Sequence, residues 1–299
     1  MIVSLNHRLV PREQARIDPF DRGFLFADGV YEGLRAFGGH VVGMPLHVRR
    51  LAAGLRELRI DFDADLMTLR TRELLDANGL RDAFIYWQVT RGVPSPGQPV
   101  RARLLTGPAS PTLFGYAVPA PTLEQCRAVP TKSACRVRDT RWLRGLVKSI
   151  GLVGSVVGAI EAHERGGDDA ILIRHAEPEG EPSRAPARVA EATSSNLLAV
   201  LETGEIVTPA LESAPILAGV TRDIIIQAAR AHGLEVRERV LLNRELDEAR
   251  EVMLLGTLTM VTSVTALDGA PVGAGTPGPV AQKLNAMLLE AIASRSHGA

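Results

Sequence analysis

The tripeptide Pro119-Ala-Pro121 interrupts a chain of 299 residues in which strand-like and helix-like runs stand on both sides of it. That mixture constrains the fold most, because each half must bury faces of period 2 and faces of period 3.6. It predicts an α/β (α+β) chain of two lobes: an N-terminal lobe over 1–118, a linker over 119–127 and a C-terminal lobe over 128–299. At roughly 150 residues per domain the length suits two. In the first half, 83–91 (AFIYWQVTR) is aromatic and β-branched and predicts a strand, while 33–44 predicts a hairpin turning at Gly38-Gly39. Stretches 46–58 and 66–77 carry apolar residues at helical spacing, and 92–99 (GVPSPGQP) predicts a loop. In the second half, 128–137, 170–174, 197–201 and 252–255 predict strands, and 152–165 and 224–232 predict helices. Residues 175–188, polar and rich in Glu and Pro, predict an exposed hairpin extension.

Charge narrows the function classes. The 34 basic and 34 acidic residues balance, which argues against a general nucleic-acid binder. No run approaches the ~20 apolar residues that cross a bilayer, and the first residues lack the apolar region of a signal peptide. Two cysteines, Cys126 and Cys135, make neither a disulfide framework nor a four-ligand zinc site. No metal is expected, and the default setting is cytoplasmic. Of the 34 basic residues only three are lysines: Lys132, Lys148 and Lys283. Arginine has no accessible neutral form, whereas a lysine amine can lose its proton and attack a carbonyl.

Lys148 lies among aliphatic neighbours in Gly145-Leu-Val-Lys-Ser-Ile-Gly-Leu-Val. Such surroundings suit an imine-forming amine, or an edge lysine whose head reaches water. Glu191, in Val189-Ala-Glu-Ala-Thr-Ser-Ser-Asn196, is either a solvated loop acid or the partner of a buried cationic ring nitrogen. Leu217-Ala-Gly-Val-Thr-Arg222 leads into a helix expected near Asp223; free amides there and the Thr221 hydroxyl make an anion site, unless Thr221 is only an N-cap. Gly256-Thr-Leu-Thr259 offers further donors. His47 and Arg50 share a helix face, and Arg50 is read as a bidentate phosphate clamp or as a surface arginine. A lysine, an acid for a ring nitrogen and several phosphate donors together match the needs of pyridoxal phosphate chemistry.

The set resembles the fold-type IV, or class IV, pyridoxal-phosphate transaminases. Matching stretches run in family order: 21–32 (DRGFLFADGVYE), 47–51 (HVRRL), 86–92 (YWQVTRG), 141–144 with Lys148-Ser149 (RWLR…KS), 191–196 (EATSSN), 216–222 (ILAGVTR) and the Gly256-Thr257 turn. The likeness is to D-amino-acid transaminases, with a branched-chain-like run at 32–37 (EGLRAF). It implies two lobes with the cofactor, pyridoxal 5′-phosphate, between them, in a homodimer. Lys148 then matches the lysine that bonds the cofactor and shuttles the proton. Glu191 matches the acid on the ring nitrogen, and Leu217 the residue packed on the ring. Arg50, Ser195, Gly219, Val220, Thr221 and Thr257 match the remaining cofactor-binding positions, and Tyr31 matches a substrate-pocket aromatic. The implied activity is transamination between an amino acid, D-alanine being favoured, and a 2-keto acid. Alternatives are a branched-chain L-amino-acid or (R)-amine transaminase, an aminodeoxychorismate lyase, or a cofactor binder without turnover.

Three departures accompany the resemblance. The Arg-x-His triplet that holds the substrate carboxylate in D-amino-acid transaminases is replaced by 93–99 (VPSPGQP), without a basic residue. The tyrosine usual in branched-chain members five residues after the lysine is Val153, and the glycine after the ring-nitrogen acid is Ala192. The substrate carboxylate is therefore expected to meet other groups: amides of the Thr257-Leu258 turn, the Tyr31 hydroxyl, or an arginine among Arg22, Arg35 and Arg91. Arg35 is favoured, because four residues along a strand return to the face of Tyr31.

Overall fold

The computed structural model describes residues 1–105, 107–176 and 185–296. The chain divides into two units: one of Met1–Thr122 with Val147–Leu152, the other of Leu123–Leu146 and the chain from Val153 onward.

The first unit is built on an antiparallel sheet. Its elements are β1 (Ile2–Leu5), β2 (Arg8–Pro11), α1 (Arg22–Phe26), β3 (Gly29–Phe37), β4 (His40–Val41), α2 (Met44–Leu58), α3 (Leu66–Asn78), β5 (Ala83–Pro94) and β6 (Ala109–Pro119). The strand order is β2-β1-β6-β5-β3-β4, and helices α2 and α3 pack on one face of the sheet. Alternation along β5 sets the layers. Ala83, Ile85, Trp87 and Val89 are buried and pack with Val30, Leu34, Leu51, Leu55 and Leu74 in one core. Trp87 Nε1 donates to the Thr71 hydroxyl on α3 at 2.8 Å, so the largest core side chain buries no unpaired donor. The other face carries Phe84, Tyr86 and Gln88 of β5 and Tyr31 of β3, all half-buried.

The hairpin expected over 33–44 is β3–β4, with Phe37 opposite His40. Two expectations change. The strand expected over 83–91 runs on to Pro94, because Val93 and Pro94 pair with Ser110 and Ala109 beyond a bulge. The segment around Lys148, expected in the C-terminal lobe, joins the first unit. Ser149 bridges Val30, the Tyr31 amide donates to the Lys148 carbonyl at 3.0 Å, and the Ile150 amide donates to the Gly29 carbonyl at 3.2 Å. These bonds satisfy backbone groups at the start of β3 that a bare sheet edge would leave open.

The second unit contains β7 (Thr131–Arg138), α4 (Val153–Glu164), β8 (Asp169–Arg174), β9 (Arg188–Ala192), β10 (Asn196–Leu201), β11 (Ile206–Pro209), α5 (Val220–Ala231), β12 (Val236–Arg239), β13 (Ala249–Gly256), β14 (Met260–Leu267), β15 (Ala270–Pro271) and α6 (Pro279–Ser296). The strand order is β12-β11-β10-β13-β14-β7-β8-β9, with β15 on β14. The parallel pairs are β14–β7, β7–β8 and β11–β12. Strand β10 is buried along its whole length, as a continuous apolar run requires. Of the hairpin expected over 175–188, residues 177–184 lie outside the described residues; its base is the antiparallel pair β8–β9, with Arg174 opposite Arg188.

Candidate active site

In the first unit, Lys148 lies with its amine nitrogen 4.2 Å from the centroid of the Tyr31 ring. The Tyr31 ring continues into a stack across the sheet, with centroids 5.6 Å from Tyr31 to Tyr86 and 5.3 Å from Tyr86 to Tyr116. Register places Tyr31 opposite Gln88 and Tyr86 opposite Tyr116, so the open face of β3, β5 and β6 is an aromatic wall beside the lysine. The Tyr86 hydroxyl donates to Gln88 Oε1 at 2.9 Å.

The opposite side of β3 turns Glu32 inward, fully buried, against α2. Arg50 donates Nε and Nη2 to its two oxygens at 2.8 and 2.7 Å, and His47 Nδ1 lies 2.6 Å from Oε2. Burial alone would raise the Glu32 pKa, but Arg50 and His47 outweigh it and hold the carboxyl at about 2. Burial pushes the His47 imidazole below its ordinary value; Glu32 opposes this, and Arg50 and Lys148 add to it. The Arg50 fork, expected to clamp a phosphate with two nitrogens, gives Nε and Nη2 to Glu32.

The three arginines nominated for the substrate carboxylate are also committed elsewhere. Arg35 does share the strand face of Tyr31, but its guanidinium donates to the Pro121 carbonyl and lies 4.5 Å from the Phe37 ring centroid. Arg22 bonds Asp28 at 2.9 Å and the carbonyls of Ala102 and Arg103. Arg91 pairs with Asp28 and donates to the carbonyls of Leu58 and Arg59. Each ties a loop or helix end to the sheet, a need invisible in the local sequence.

In the second unit, Glu191 on β9 is buried and surrounded by donors. Arg141 Nη1 lies 2.6 Å from Oε1, and Asn196 Nδ2 and the Leu217 amide lie 2.9 and 3.1 Å from Oε2. Asn196 also donates to the Leu217 carbonyl at 2.9 Å, locking the loop before α5 onto β10. Helix α5 starts at Val220, earlier than expected. Its N-cap is Gly219 in an extended conformation, and Thr221 sits inside the first turn rather than at the cap. No side chain caps this helix among the described residues. The first-turn amides of Val220 and Thr221 are donors of the kind that bind anions. The Ser195 and Thr259 hydroxyls lie 3.2 Å apart, at the turn 256–259 that carries Thr257 and the exposed Leu258.

Sequence reasoning missed Glu32 as a site group and gave Arg141 and Asn196 no role of their own. Arg141 lay in a quoted motif, but its partner Glu191 is 50 residues away. Only the strand register makes them neighbours.

The family model for class IV amino-transferases matches residues 29–267. The chain belongs to the class IV aminotransferases. D-alanine aminotransferase of Bacillus licheniformis is 34 % identical to this aminotransferase over 298 residues, covering 99 % of both chains. A putative branched-chain-amino-acid aminotransferase of Methanocaldococcus jannaschii is 33 % identical, covering 95 % of this chain and 94 % of that one. The solved branched-chain amino acid aminotransferase of Thermobaculum terrenum, in its pyridoxal phosphate form, superposes with a TM-score of 0.81 at 28 % identity, covering 98 % of this chain and 94 % of that one. Pyridoxal 5′-phosphate is the cofactor of this family. The second unit of this aminotransferase has a donor set that fits a phosphate. A Cβ on Gly219 would fall 1.8 Å from Asn196 Oδ1, and one on Gly256 would fall 2.6 Å from the Thr259 hydroxyl. At Gly219, the N-cap of α5, glycine leaves the room that Asn196 needs.

Proposed function

We propose that this aminotransferase moves an amino group between a D-amino acid of the alanine class and a 2-keto acid. The observation that carries the reading is Lys148, whose amine stands over the Tyr31 ring. The relatives named for D-alanine, aligned over almost the whole chain, support the substrate class. Pyridoxal phosphate supplies the electron sink for the electrons left when the substrate loses its α-proton. Lys148 Nζ would hold the cofactor and, when free, would take that proton. Glu191 holds the proton on the cofactor's ring nitrogen. Leu217 would pack on the ring. The amides of Val220 and Thr221 and the hydroxyls of Ser195, Thr221 and Thr257 bind the phosphate, with Gly219 leaving them room and Arg50 adding positive charge. The amides of the Thr257-Leu258 turn and the Tyr31 hydroxyl receive the substrate carboxylate.

A homodimer fits this reading. Val153, Val156, Val157 and Ile160 form one stripe of α4, each at least 41 % exposed, and Trp142, Leu143 and Leu146 add to the exposed apolar surface. A second copy of the chain covers this stripe. A cytoplasmic setting, in which Cys126 and Cys135 stay free thiols, also fits; among the described residues no helix is long and apolar enough to cross a membrane.

A second reading, branched-chain L-amino-acid or (R)-amine transamination, is favoured by the aromatic wall of Tyr31, Tyr86 and Tyr116 and by the commitment of Arg22, Arg35 and Arg91 to other partners. The test is the purified holoenzyme with a panel of D-amino acids, L-amino acids and amines, with Lys148→Ala as control. Turnover with D-alanine above the other donors, abolished in Lys148→Ala, is the expected result. Preference for an L-amino acid or a simple amine would select the second reading. Wild-type rates in Lys148→Ala would remove Lys148 from the chemistry.

A further inference from the structure

Glu191 ends a chain of alternating charge. Arg141 uses one nitrogen on Glu191 and turns its other edge to Asp139, with Nε 3.0 Å from Oδ1 and Nη2 3.2 Å from Oδ2. The side chain of Asp139 has no exposed surface. Its Oδ1 also accepts the Arg141 amide at 3.0 Å, and Arg174 Nη2 reaches Oδ2 at 2.9 Å. The topology makes the chain possible. Strands β7 and β8 run parallel with Arg138 opposite Ile173, so Asp139 and Arg174 leave the same end of the sheet. Strand β9, antiparallel to β8, then brings Glu191 alongside.

We propose that Asp139 is a positioning residue that sets, through Arg141, how strongly Glu191 holds a proton on the cofactor's ring nitrogen; this rests on the assignment of Glu191 to that nitrogen made above. A guanidinium 2.6 Å from a carboxylate cancels much of that carboxylate's field, and a cationic ring facing such a neutral pair loses stabilisation. Asp139 returns a negative charge to the same guanidinium, so the group facing the ring keeps a net negative field. Burial disfavours the Arg141 charge, but the hydrogen bonds and charges of Asp139 and Glu191 outweigh it and raise its pKa, so Arg141 stays cationic throughout. Arg174 is partly exposed, hence screened by water, and only partly offsets Asp139. Asp139 also fixes the orientation of Arg141, and with it the Oε1 side of Glu191.

The two outer charges have opposite signs, which separates electrostatics from scaffolding. Wild type, Asp139→Asn and Arg174→Gln are each loaded with pyridoxal phosphate carrying ¹⁵N in the ring, and the ring-nitrogen chemical shift is followed against pH. Asp139→Asn, which keeps an acceptor for Arg141 but loses the charge, lowers the pH at which the nitrogen loses its proton by about one pH unit, a tenfold weaker hold. Arg174→Gln raises it, by about threefold in the proton-binding constant. Both variants moving in the same direction, or Arg174→Gln leaving the nitrogen unchanged, would overturn the proposal, the latter even if Asp139→Asn failed to fold. A wild-type protein that binds no pyridoxal phosphate would instead overturn the proposed function.

Discussion

The Lys148 amine nitrogen sits 4.2 Å from the centroid of the Tyr31 ring, and the Tyr31 amide donates to the Lys148 carbonyl at 3.0 Å. One residue thus holds the lysine at both ends. Its backbone secures the segment 147–152 beside β3, and its ring faces the amine. A cation over an aromatic face is worth about 0.5–2 kcal/mol. Tyr31→Ala is expected to slow single-turnover proton transfer by roughly three- to thirtyfold, and Tyr31→Phe, which keeps the ring, much less. Stopped-flow absorbance of the cofactor measures both. Equal losses in the two variants would assign the effect to the hydroxyl.

Glu32 makes the protein acid-sensitive in a defined window. Its pKa falls from 4.5 to about 2 in the fold, so its stabilisation is full above pH 4.5 and is lost as pH drops toward 2. His47, which burial holds below its ordinary value, acts in the same direction: protonating it on acidification costs stability. The Glu32 contribution is of the order of 3 kcal/mol. Melting temperatures between pH 6 and pH 3 should fall for wild type and fall less steeply for Glu32→Gln, which starts lower.

Arg50→Ala leaves the buried Glu32 carboxylate without its bidentate partner. Breaking such a pair costs roughly 3–5 kcal/mol. The loss is expected in cofactor-free protein as well as in the holoenzyme, measured by urea unfolding. Arg50→Lys is expected to rescue little, because a single ammonium does not reproduce two parallel bonds. Unchanged cofactor-free stability with weakened cofactor binding would return Arg50 to the role of a simple phosphate clamp.

Alanine variants at Arg22, Arg35 and Arg91 separate structural arginines from a carboxylate trap. Each is expected to cost roughly 1–4 kcal/mol of stability, with KM values for amino acids and for carboxylate-free amines moving together. A KM increase confined to amino acids would identify the variant's arginine as the carboxylate ligand.

The α4 stripe predicts association. Val156→Glu with Ile160→Glu places two charges on a face that is apolar and exposed in the single chain. Size-exclusion with light scattering should find a wild-type dimer and a folded variant monomer. A wild-type monomer would remove the homodimer from the proposal.

What the sequence determined by itself is local and periodic. Helices α2 and α3, strand β5 with its alternating burial and the turn at Gly38-Gly39 were readable, because side-chain period and turn chemistry act within a few residues. The scarcity of lysine drew attention to Lys148, and the ordered motifs drew it to Glu191 and to the anion site before α5. The tertiary structure decided which charges meet. Arg35, Arg50, Arg91 and Arg141 are the same residue type in similar local contexts, yet they bond a linker carbonyl, Glu32, Asp28 and Glu191 respectively. Those pairings span 18 to 86 positions of chain, and they follow from strand register and from which face each helix buries. The same cause moved residues 147–152 into the first unit: a backbone ladder to β3 carries no side-chain signature, and so no periodicity announces it.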